Sequence, residues 1–119
     1  MCSSSREQRQ WRLYVDDMIG FAEKAQSYTE GMDQTAFLTD SRTYDATLRN
    51  LELIGEAATH IPTAIRDAHP EVPWRTMVGV RNRIIHGYLG IDSDLIWDII
   101  QKDIPVLLPS LRQMAEASE

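Results

Sequence analysis

From Glu7 to Tyr28 the apolar residues Trp11, Tyr14, Val15, Met18, Phe21, Ala22 and Ala25 return at spacings of three and four. Such spacing lines them up along one side of an α-helix and would scatter them over both faces of a strand. The segment therefore reads as a helix that must bury its stripe, with Gly31 as a stop just beyond it. The same period recurs along the chain. Asp33 is placed to cap a short turn through Phe37 and Leu38, and Thr39, Asp40 and Ser41 form a second group of capping residues. A long helix is predicted from about Arg42 to His60, with Tyr44, Leu48, Leu51, Ile54, Gly55 and Ala58 as its core stripe. Gly55, lacking a side chain, lets another helix come close. Asp45, Arg49, Glu52 and Glu56 fall on the opposite side, as expected of a solvated, salt-bridged face from which Glu56 or Glu52 could meet an arginine across an interface.

Pro62 opens a short helical turn ending near His69 and Pro70, and Pro73 precedes a further helix from Trp74. His60 and His69 lie at helix ends, where interaction with the last carbonyls accounts for them structurally. Asp92 or Ser93 can cap a last helix lined by Ile96, Ile100, Ile104, Leu107, Leu111 and Met114, which Pro105 should kink or split. No alternating strand pattern, repeat or low-complexity segment competes. The expectation is an all-α chain, an up-and-down bundle of four to five helices with short connections. At 119 residues it is expected to form a single domain, 1–119, with mobile ends at about 1–6 and 115–119.

One cysteine, Cys2, leaves no intrachain disulfide and no cysteine metal cluster. Uncharged runs fall far short of the roughly 20 apolar residues that span a bilayer, and the first residues are polar. A cytoplasmic protein without membrane partners is the simplest expectation. A net charge of −6 opposes non-specific nucleic-acid binding over the whole surface but leaves room for a small basic cleft.

The segment from Trp74 to Tyr88 supplies that cleft. On a helical wheel Trp74, Met77, Val78, Ile84 and Ile85 share one apolar arc, and Arg81 falls in its middle. A guanidinium aimed at a buried place must be paired or must face a ligand. Arg75, Asn82 and His86 share a second edge, with Gly79 removing bulk beside them. Asn82 and His86 are one turn apart and can reach a common ligand. Between Val72 and Ile91 lie Arg75, Arg81 and Arg83 and no acidic residue, a local inversion of charge that points to an anion. With one histidine and no carboxylate, the segment is a poor metal site. Gly87 and Gly90 flank Tyr88, placing it on a short turn with an accessible hydroxyl.

Arg81, four residues, His86, one residue and Tyr88 resemble the Arg-x-x-x-x-His-x-Tyr signature of the HepT-like toxins in the HEPN superfamily. Leu51 to Ala58, His69 to Trp74 and Ile91 to Trp97 resemble the same family in the same order, so the resemblance covers roughly Trp11 to Leu108. It implies a HEPN-like bundle and the toxin of a type VII-like toxin–antitoxin pair: a homodimeric, metal-independent endoribonuclease without a cofactor. It further implies that the two motif helices meet at a cleft and that a minimal nucleotidyltransferase antitoxin silences the toxin by adenylylating the motif tyrosine. Carried over by position, Arg81 and His86 are the catalytic pair, Asn82 is the supporting polar residue and Tyr88 the modification site. The local positive charge adds Arg75 and Arg83 as substrate-phosphate or supporting residues.

The chemistry of the residues agrees. Attack of a ribose 2′-hydroxyl on the neighbouring phosphate needs a base, an acid and stabilisation of phosphorane charge. Imidazole exchanges protons near neutrality, and a guanidinium offers a two-pronged fork to phosphate. One motif histidine per chain is too few for both acid and base, which is a chemical reason for a two-fold dimer. Two other readings stand beside this one. The first is a non-catalytic HEPN module that binds a nucleotide or docks a nucleotidyltransferase through Arg81 and Arg75. The second is a plain dimerisation bundle in which Arg81 pairs with Glu56 or Glu52.

Overall fold

Helix α1, Cys2–Thr29, begins earlier than the apolar stripe alone indicates and runs along the long axis of the molecule. The computed structural model describes residues 2–87 and 90–117, with side chains from residue 9 onward. Trp11, Val15, Met18, Ala22 and Ala25 are buried, as their three–four spacing requires. After the turn at Gly31, whose φ of 77° favours glycine, come α2 (Gln34–Thr39) and α3 (Ser41–Thr59). The Asp33 carboxylate accepts from the Ala36 N–H at 2.8 Å, and that of Asp40 from the Thr43 N–H at 3.1 Å, so both predicted caps are in place. The Thr43 backbone bond, with its hydroxyl, holds the Asp40 carboxyl below the usual carboxylate range.

Helix α4 (Thr63–Ala68) leads into α5 (Trp74–His86), and α6 (Ser93–Asp98) begins at Asp92. The Asp92 carboxylate accepts from the N–H groups of Asp94 and Leu95. The last helix changes form ahead of Pro105 without leaving helical backbone angles: a π-helical stretch, Ile99–Asp103, joins α6 to α7 (Ile104–Ala117). Proline offers no N–H to the carbonyl one turn back, and its ring crowds that carbonyl; one widened turn accommodates both. Burial in this stretch pushes the Asp103 carboxyl above its ordinary value.

Helix α3 lies between α1 and α5, and α1 packs on α7 along another side. One apolar cluster runs through these helices, including Met18, Leu51, Ile54, Met77, Ile104, Leu107 and Leu111. Phe37 meets Tyr44 and Trp97 with ring centroids 5.2 and 5.4 Å apart, which ties α6 to α2 and α3. Among the described residues there is no strand, and the architecture is the expected all-α bundle. Its long elements are α1, α3, α5 and the α6–α7 run; α2 and α4 are single short turns of helix between them.

Candidate active site

The start of α5 is fixed by the segment before it. The Trp74 indole N–H donates to the His69 carbonyl at 3.0 Å, and His69 Nδ1 lies 3.2 Å from Glu71 Oε1. His69 thus has a structural role, as expected, but its ring partner is a carboxylate rather than a helix-end carbonyl. The same holds at the end of α3, where His60 Nε2 lies 3.5 Å from Glu56 Oε2 and its ring stacks on Tyr14.

Trp74, Met77 and Val80 are the buried residues of α5, and they turn it against α3. Val80, absent from the predicted arc, is buried, whereas Val78, Ile84 and Ile85 are partly exposed. The two helices come close together at Gly55. A Cβ added there would lie 2.3 Å from the Arg81 Cβ and 2.6 Å from the Met77 carbonyl oxygen, so only glycine fits. This is the close approach that Gly55 foreshadows in the sequence.

The contact at Gly55 carries Arg81 to the next residue of α3. Arg81 Nη2 donates to Glu56 Oε1 at 3.0 Å, and Arg81 Nη1 donates to Asn82 Oδ1 at 2.9 Å. The Arg81 Nε is buried and has no partner among the described residues. The carboxylate foreseen as an interface partner therefore meets Arg81 within the chain. The charged face of α3 divides: Arg49 and Glu52 pair with each other at 3.3 Å, while Glu56 turns to α5.

The other edge of α5 is open. Arg75, Asn82, Arg83 and His86 are all exposed. Asn82, Arg83 and His86 line a recess of about 450 Å³ closed by Gly87, Gly90, Ile91 and Asp92. Asn82 links the recess to Arg81, so the structure brings Arg81, Asn82, Arg83 and His86 to one region. Arg75 instead lines a larger cleft between α4 and α5, which Asn82 also borders. Arg66 of α4 enters that cleft as well. Helix α4 is too short to show a period, so nothing in the sequence marks this arginine. The positive field read from the segment is also moderated, because the fold brings Glu56 and Asp92 to its margins.

Gly87 ends α5 with φ of −88°, so its need for glycine comes from space: a Cβ would lie 2.6 Å from the Arg83 carbonyl oxygen. Gly90, with φ of 118°, is favoured by its backbone angle. Tyr88, read as the modification site, lies outside the described residues. Among the described residues no group of three or more His, Cys, Asp or Glu side chains gathers where a metal ion could sit. No described helix is long and apolar enough to cross a membrane.

Residues 18–114 match the family described as Ribonuclease HepT-like. The chain belongs to the HepT-like ribonuclease family. It is 37% identical over 99 residues to a Thermococcus cleftensis protein named "Probable ribonuclease HepT", covering 83% of this chain and 90% of that one. Two further relatives carry the name "Putative RNase". One, from Methanocaldococcus jannaschii, is 37% identical over 97 residues, which is 82% of this chain and 89% of the relative. The other, from Caldanaerobacter subterraneus subsp. tengcongensis, is 31% identical over 105 residues, 88% of this chain and 94% of the relative. No solved structure gives a significant match. The HepT-like match spans α3, α5 and the connection between them, and so includes the seam that holds Arg81.

Proposed function

We propose that this HepT-like chain is a metal-independent endoribonuclease and the toxin of a toxin–antitoxin pair, acting as a homodimer in which the α5 helices of two copies approach each other. The observation that carries the reading is the state of Arg81. Its guanidinium is held at two nitrogens, is partly buried, and stands beside the recess that His86 lines. A guanidinium has five N–H groups. One goes to Glu56, one to Asn82 and one is the buried Nε–H, which leaves one on each amino group for two oxygens of a phosphate.

The reaction this suits is transfer within the RNA strand. The ribose 2′-oxygen attacks the adjacent phosphorus, its proton passes to the imidazole of one His86, and the phosphorus–O5′ bond breaks. The second protomer's imidazolium protonates the departing O5′, giving a 2′,3′-cyclic phosphate and a 5′-hydroxyl. Arg81 stabilises the phosphorane oxygens, while Asn82, Arg75 and Arg83 hold neighbouring phosphates. A minimal nucleotidyltransferase would silence the toxin by transferring AMP from ATP to the Tyr88 oxygen, with pyrophosphate leaving. The added phosphate would then compete for the same donors.

The test is cleavage of a defined RNA by the unmodified protein in the presence of a chelator, followed by end-group analysis. Cyclic-phosphate ends, absent with His86→Ala, are expected. Intact RNA under all conditions overturns the reading. For the switch, intact mass after incubation with the nucleotidyltransferase and ATP should rise by AMP increments in wild type and not in Tyr88→Phe.

A further inference from the structure

Arg81 is held by a chain of contacts that begins on the far side of the bundle. The Tyr14 ring of α1 stacks on His60, centroids 4.8 Å apart. His60 Nε2 lies 3.5 Å from Glu56 Oε2, and the Thr59 hydroxyl donates to the Glu56 carbonyl at 2.6 Å and contacts Glu56 Oε2 at 3.4 Å. The other carboxylate oxygen of Glu56 takes Arg81 Nη2 at 3.0 Å. One oxygen is thus anchored within α3 while the other reaches across to α5, at the point where Gly55 brings the helix backbones together.

We propose that Glu56 is a positioning residue for Arg81, fixing the rotation of its guanidinium so that one N–H of each amino group faces the scissile phosphate. The proposal rests on the ribonuclease reading. A carboxylate beside a phosphate-binding arginine opposes an anion electrostatically, so Glu56 is a poor choice for binding RNA; it suits orientation instead. Its removal should therefore affect turnover rather than affinity. Asn82 secures Nη1 but stands next to Arg81 on the same helix and is exposed, whereas Glu56 supplies the cross-helix restraint.

The test compares Glu56→Ala, Glu56→Gln and Glu52→Gln in the full-length protein. Glu52 pairs with Arg49 within α3, so Glu52→Gln removes the same charge without touching Arg81. Glu56→Ala should lower kcat on the order of 10²-fold, the scale of loss for a misplaced catalytic group, with KM for RNA unchanged or lower. Glu56→Gln keeps an oxygen for Nη2 and should recover most of that loss, and Glu52→Gln should behave as wild type. A raised KM with unchanged kcat, or full activity in Glu56→Ala, overturns the proposal. Equal impairment of both Glu56 variants with a lowered melting temperature does so as well, because it marks a purely structural role.

A second readout does not need catalysis. In ¹⁵N spectra the Arg81 amino groups, assigned by their loss in Arg81→Lys, should be resolved by slow rotation in wild type and in Glu56→Gln. They should merge in Glu56→Ala. Merged signals in wild type overturn the positioning role even if RNA is cut. Resolved signals lost only in Glu56→Ala support it even if RNA stays intact, so the two readings fail separately.

Discussion

The two edges of α5 carry similar chemistry under different restraint. On the edge turned to α3, Arg81 is gripped by Glu56 and Asn82, and its aliphatic stem passes over Gly55. On the edge turned to solvent, Arg75, Arg83 and His86 are exposed, and none of their side chains makes a hydrogen bond or ion pair among the described residues. Two basic groups on one short helix are therefore in opposite states. The first is oriented by the fold of a single chain. The second is left to whatever the chain meets, whether RNA or a second copy of itself. The contrast separates what monomer folding can pre-organise from what assembly and substrate must supply.

The strongest way to test this contrast is to remove one group from each edge. Arg81→Ala and His86→Ala should each reduce RNA cleavage on the order of 10²–10³-fold, the usual cost of losing a charge-stabilising donor or a proton-transfer group. Their melts should differ. A fully buried pair would cost about 3–5 kcal/mol to break, but the Arg81 and Glu56 side chains are 26% and 44% exposed. Solvent screening brings the expected loss to about 1 kcal/mol. His86→Ala should stay within about 0.5 kcal/mol of wild type in chemical denaturation. Equal destabilisation by both would show that the open edge is held after all.

Next in size is the seam itself. Gly55→Ala forces α3 and α5 apart, since the new Cβ has backbone on one side and the Arg81 stem on the other. Overpacking of this kind costs about 1–3 kcal/mol, and denaturant melts should record it. Cleavage should fall further than stability explains, because the same shift moves Arg81 away from Glu56. Gly79→Ala, on the open edge where a Cβ meets nothing within 4 Å, is the matched control and should be neutral or slightly stabilising in the monomer.

The difference between the edges also marks how far the sequence could be read. The three–four stripes, the caps at Asp33, Asp40 and Asp92 and the closeness permitted by Gly55 were all legible, because each is set by local geometry and repeated pattern. That Arg75, Asn82 and His86 share one edge followed from helical angles; that Arg83 is exposed with them did not. Which carboxylate meets Arg81, and in which chain, did not. The sequence separation of Glu56 and Arg81 is bridged only by the packing of α3 on α5, and a wheel drawn for one helix contains no partner. Arg66 and Asp92 stayed invisible as neighbours of the site for the same reason. The π-helical stretch before Pro105 was likewise beyond the proline rule, which requires a disturbance of the hydrogen-bond ladder but not a particular one.

A smaller effect concerns how the buried edge begins. Trp74→Phe keeps an aromatic ring in the core but removes the N–H that donates to the His69 carbonyl. One hydrogen bond of this kind contributes about 1 kcal/mol. The melt should shift by that order while cleavage changes little, because the loss lies at the opposite end of α5 from His86. A loss of cleavage comparable to His86→Ala would mean that the α5 start governs the site as strongly as the Gly55 seam does.

The smallest effect is expected from the free arginines of the open edge. Arg75 and Arg83 contribute nothing that folding needs, so Arg75→Ala and Arg83→Ala should each leave stability within about 0.5 kcal/mol of wild type. Their contribution should appear only with RNA present. Each phosphate neutralised on a single strand adds about 0.7 to the slope of log affinity against log salt concentration. Measured with RNA in a His86→Ala background, which prevents turnover, each variant should flatten that slope by about this amount, and the double variant by the sum. Arg75 lines the α4–α5 cleft and Arg83 the recess beside His86. A change for Arg83 alone would confine the RNA to the recess, and a change for both would extend its path across the open edge to α4. An unchanged slope in all three would leave Arg81 as the phosphate contact of α5 and reduce the open edge to a solvated surface.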